Sequence, residues 1–102
     1  MIVHTDVRTG RVTLEQPDDF TAFHVAVAGG AVSDERLAAV LAPHGRLEDD
    51  HAWVGVEAVR ALAGEAATAE WQAGFDAMLD YARSKGFLDE SGDAIRAHLE
   101  PA

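Results

Sequence analysis

Cysteine is missing from all 102 residues, which excludes disulfides, thiolate metal sites and a cysteine nucleophile. Lysine is nearly missing too: Lys85 stands alone, and the other seven cations are arginine. With the heavy alanine usage, that bias points to a GC-rich bacterial coding sequence. Long apolar runs are also absent, and none approaches the roughly 18–20 residues that cross a bilayer. The opening MIVHTDVRTG lacks the basic-then-apolar layout of a secretory signal. These absences lead us to expect a soluble, cytoplasmic protein with no membrane partner.

Positive charge is scarce, with eighteen acids against eight Lys plus Arg for a formal net charge of −10. That balance repels phosphate backbones and argues against a nucleic-acid partner. It suits one other role, occlusion of a basic site on a toxin or nuclease. The chain is not short of core material: 48% of residues are hydrophobic, which fits one folded domain over residues 1–102.

Several stretches have readable periods. Residues 1–16 hold two alternating runs around RTGR, expected as an N-terminal hairpin. A tight turn at Thr9–Gly10 would set Val7 against Val12 and Thr5 against Leu14. FTAFHVAVAGG alternates Phe23, Val25 and Val27 with Ala22, His24, Ala26 and Ala28. Both sets are apolar apart from His24, which predicts a central strand covered on both sides. Ser33 is placed to cap a helix carrying Leu37, Val40 and Leu41, with Val32 as a staple and Pro43 and Gly45 ending it. From Leu47 to Val54 the alternation predicts one strand with Asp49, His51 and Trp53 on one face. Val56, Val59, Leu62 and Ala63 then take helical spacing up to Gly64.

The strongest period lies in TAEWQAGFDAMLDYARSKGF. Trp71, Phe75, Met78, Leu79 and Ala82 form one stripe, Thr68 can cap it, and Gly86 can stop it. Gly74 interrupts the interior, which suggests close approach of another backbone. DAIRAHLE alternates again, with Ile95, Ala97 and Leu99 inward and Arg96, His98 and Glu100 outward.

The expected fold is α+β: a small mixed or antiparallel sheet of four to five strands, with two to three helices packed on one face. Residues 20–100 form the main sandwich. Their strand–helix–strand, helix–strand order is similar to a ferredoxin-like fold lacking one strand, a likeness of topology that carries no activity.

Candidate chemistry is thin. Asp49 and His51 stand two apart, but two ligands do not complete a metal site. HExxH and calcium-loop patterns are absent, so no metal or cofactor is expected. GxSxG, Walker and GxGxxG patterns are absent as well. His51 with Asp49, or His24 among small residues, suits a general base. The bland alternative is a surface strand end and a packed core histidine. Trp53, Trp71 and Ala26 are candidate ligand-binding positions, although Trp71 on the helix stripe also reads as plain core. The leading expectation is a small acidic binding or accessory module, forming a homodimer, that takes a small apolar molecule or a protein partner. The alternative is a cofactor-independent isomerase, lyase or cyclase.

Overall fold

The computed structural model describes all 102 residues. The strands are β1 (Ile2–Asp6), β2 (Val12–Glu15), β3 (His24–Ala28), β4 (Gly45–Glu48), β5 (His51–Gly55) and β6 (Ala94–Pro101). The helices are α1 (Leu37–Leu41), α2 (Val56–Ala63) and α3 (Ala69–Ser84), with a 3₁₀ turn at Gly64–Ala66. All six strands join one mixed sheet in the order β2-β1-β3-β6-β5-β4. The class is α+β, with one more strand than the upper end of the expected range.

The extra strand comes from Asp49 and Asp50. The run from Leu47 to Val54 is not one strand but the end of one and most of the next, folded back so that Glu48 pairs with His51 and Leu47 with Ala52. Asp49 takes φ +54° in the turn, a left-handed conformation that aspartate tolerates better than most residues. Asp49 therefore leaves the face that carries His51 and Trp53.

The N-terminal hairpin forms with a longer turn than Thr9–Gly10 alone. Thr5 pairs with Val12 and Val3 with Leu14. The Asp6 carboxylate accepts from the amides of Arg8 at 2.9 Å and Thr9 at 3.2 Å, and Gly10 takes φ +77°. The shift from the expected register is two residues, so the faces are unchanged. β1 then pairs in parallel with β3, Val3 against Val25.

The first helix is shorter than its start signals suggest. Ser33 does not cap it, and Val32 stays exposed. Asp34 organises the entry instead. Its carboxylate accepts from the Arg36 amide at 2.9 Å and from the guanidinium at 3.0 and 2.9 Å. The side-chain bond from Arg36, with the backbone bond behind it, lowers the Asp34 pKa to about 2. Leu37 and Leu41 still reach the core.

α3 is held as its pattern demands. Thr68 Oγ1 accepts from the Trp71 amide at 3.1 Å. At the other end Gly86 takes φ +77° and the Phe87 amide donates to the Ala82 carbonyl at 2.8 Å. Trp71 and Phe75 stack at 4.9 Å and are buried. Gly74 makes room for a side chain, not a backbone: a Cβ there would lie 2.5 Å from the Phe20 ring. Arg60 ties α2 to α3 through Asp76 at 2.8 Å, a bond to Gln72 and the Phe75 ring at 4.9 Å.

One core cluster joins α1, α2 and α3 to Val3, Val25, Val27, Ala52, Val54, Ile95 and Ala97. All of these strand residues lie on one face of the sheet, as the registers require. β3 is therefore interior but covered on one side only. Its other side, with His24, Ala26 and Ala28, is not packed under a helix.

The likeness to a ferredoxin-like order ends at β6. A single helix between two strands of a sheet returns them parallel. Here α2, α3 and the Phe87–Leu88 segment all intervene, and β6 comes back antiparallel to β5 while running parallel to β3. It thereby joins β2-β1-β3 to β5-β4.

Candidate functional site

β6 changes neighbours along its length. Ile95 is bridged by Leu88, whereas His98 pairs with His24. A cleft of about 400 Å³ is lined by Ile95, Arg96 and His98 of this strand and by the segment before β3. Phe20 and Phe23 line it from that segment, Met78 and Tyr81 from α3, and Phe87 from the chain that follows. Its polar side carries Asp50, His51, Arg96 and His98. Three large hydrophobic residues are notably exposed, and two of them, Tyr81 and Phe87, belong to this cleft.

Arg96 is the arginine that lines this cleft. The guanidinium groups of Arg36, Arg60 and Arg83 meet carboxylates, and Arg46 lies 5.4 Å from the Trp53 ring centre. Arg96 meets no acid within ion-pair distance. In a chain of net charge −10, an unpaired arginine beside aromatic walls is a ready anchor for an anion.

His51 lines the cleft, its side chain 12% exposed. Nδ1 lies 3.5 Å from the Asp50 carboxylate, at the limit of a hydrogen bond, and Nε2 is buried without a partner. The carboxylate near this imidazole thus belongs to Asp50, not to Asp49, which the turn carries away. Trp53 stands outside the cleft. Its ring meets His51 edge-on at 5.7 Å, and its buried Nε1 has no partner.

Trp71 is core. It is 3% exposed, and its Nε1 donates to the Pro17 carbonyl at 2.8 Å. It reaches the cleft only indirectly, by supporting Phe20 at 6.2 Å. Ala26 is buried on the helix-free face, in a shallow hollow beside His4 and His24.

His24 does not line the aromatic cleft either. Its Nε2 lies 3.0 Å from one oxygen of Glu100, and His98 Nε2 lies 3.1 Å from the other. The two imidazoles stack at 5.5 Å with 27° between their planes. Strand geometry dictates this group: His98 and Glu100 are two apart on β6, and His24 pairs with His98 across to β3. An alternating HxE was visible in the sequence, but its partner strand was not.

No protein-family model, curated protein or solved structure matches the chain. Function must therefore be argued from the side chains themselves.

Proposed function

We propose that the protein is a binding module for a small amphipathic molecule: an apolar or aromatic body with an anionic end. The single observation that carries this reading is the pairing of exposed aromatics with an unpaired arginine in one cleft. Tyr81, Phe87, Phe20 and Phe23 supply the apolar walls, and Arg96 supplies the charge. A cleft of about 400 Å³ falls within the ordinary range for small-ligand sites. The exposed apolar side chains converge on this concavity instead of spreading across a flat patch. This favours a small molecule over a protein partner or the homodimer expected from the sequence.

Titration calorimetry with medium-chain and phenylalkyl carboxylates, each beside its matched alcohol, tests the reading. Carboxylates should bind saturably at one site. Arg96→Gln should weaken them by about tenfold, the loss of one charge-assisted contact, and leave the alcohols unchanged. Ala22→Trp, which places bulk in the cleft, should abolish both. Failure of the folded protein to bind any member, or equal binding by Ala22→Trp, would overturn it.

A second reading, proton transfer on the bound molecule, is favoured by His51, which lines the cleft with Asp50 beside its Nδ1 at 3.5 Å. His51 would act as general base, removing a proton from a carbon next to a carbonyl and returning it. Deuterium exchange into bound oxo-acids, measured by proton NMR, should occur with the wild type and vanish in His51→Gln. Exchange at the solvent rate in both would remove catalysis and leave binding standing.

A further inference from the structure

The helix-free face of the sheet holds a second constellation, which shares only His98 with the cleft. His24, His98 and Glu100 each present one ligand atom, and the three atoms lie within 4.8 Å of one another. We propose that they bind a divalent first-row transition ion, with zinc the first expectation. The inference is independent of the organic ligand, because the ion is measured alone.

Ligand chemistry narrows the ion. Two imidazoles and one carboxylate suit zinc, iron, cobalt or nickel, whereas magnesium and calcium prefer oxygen donors throughout. Donors bonded at about 2.0–2.1 Å in a tetrahedral arrangement lie about 3.3 Å apart. The 3.0 and 3.1 Å separations run from opposite oxygens of Glu100 to the two imidazoles, and with one donor atom per residue the three atoms lie within 4.8 Å of one another.

The scaffold also fits. The ligands stand on β3 and β6, two interior strands whose pairing fixes His24 beside His98 and Ala26 beside Glu100. Such strands hold a site more precisely than loops do. No arginine or lysine meets Glu100, whose ionic partners are these two histidines alone. Ala26 keeps the adjoining floor low, and the neighbouring hollow contains His4 and His24. Three protein ligands and an accessible side are the arrangement of metal sites that keep a position open.

A simpler arrangement competes with this one: a carboxylate that merely accepts hydrogen bonds from two surface imidazoles. Metal titration separates them. Chelator-stripped protein titrated with zinc chloride should show one site per chain, and cobalt should give the visible absorption of a low-coordinate N/O site. His24→Gln, His98→Gln and Glu100→Gln should each weaken zinc by at least about tenfold, while His44→Gln leaves it unchanged. Circular dichroism reports whether each variant is folded. As a check independent of substitution, zinc should shift the imidazole ¹⁵N resonances of His24 and His98 in the wild type. Absence of one-site binding, full affinity in Glu100→Gln, or unmoved His24 and His98 resonances would each overturn the proposal.

Discussion

The two faces of the sheet use the same strands for opposite purposes. On one, Val3, Val25, Val27, Val54, Ile95 and Ala97 are buried under the helices. On the other, one residue along, stand His4, His24, His51, Trp53, Arg96, His98 and Glu100. Four of the five histidines share this second face, yet only Ala26 and Ala94 among its strand residues are buried. The comparison separates stability from chemistry: the covered face holds the fold, and the helix-free face is free to carry polar groups that folding does not require.

The largest test of that separation is Phe75→Ala on the covered side. Phe75 is 0% exposed, and its truncation should cost about 3–5 kcal/mol in chemical denaturation. Gly74→Ala comes next. Helix preference favours the change by about 1 kcal/mol, but displacing the Phe20 ring costs about 1–3 kcal/mol, so a net loss is expected. The same substitution should disturb ligand titrations, because Phe20 is also a cleft wall. Trp71→Phe should cost about 1 kcal/mol through the loss of its bond to the Pro17 carbonyl.

Acid reports on the edge of the structure, where Asp34 meets Arg36. The Asp34 pKa is lowered in the folded chain from 3.8 to about 2. Its contribution is therefore complete above about pH 4 and lost as pH falls through about 2. Asp34→Asn should remove that part of the acid transition and leave the rest, as followed by circular dichroism. The smallest effect is expected from His98→Gln, within about 0.5 kcal/mol of wild type. A loss of several kcal/mol there would mean that the helix-free face also holds the fold.

Local patterns were legible where one face of an element is buried. α3 showed its cap, stripe and stop, and β6 showed its alternation, because both follow from periods of a few residues. The hairpin's faces survived a two-residue register error for the same reason. The split between β4 and β5 was hidden because Asp49–Asp50 lacks the glycine that marks many tight turns, while Asp49 adopts the left-handed conformation itself. α1 was overextended because Ser33 resembled a cap, whereas Asp34 uses Arg36 to turn the chain. Of the expected catalytic residues, His51 meets Asp50 rather than Asp49, and His24 meets Glu100. Neither candidate site could be assembled from the sequence: one gathers Phe20, Tyr81 and Arg96, the other His24 and His98, across strand pairings that no local pattern specifies.

β6 is the last strand in chain order, yet it is the sole hydrogen-bonded link between β2-β1-β3 and β5-β4. During synthesis, everything before Asp93 can leave the ribosome while Val25 and Ala52 still lack their shared neighbour. Two partial sheets must wait, each with an unpaired edge open to another nascent chain. Arg96, His98 and Glu100 arrive on the segment that ends this exposure, so acquiring a binding surface and escaping aggregation become one event.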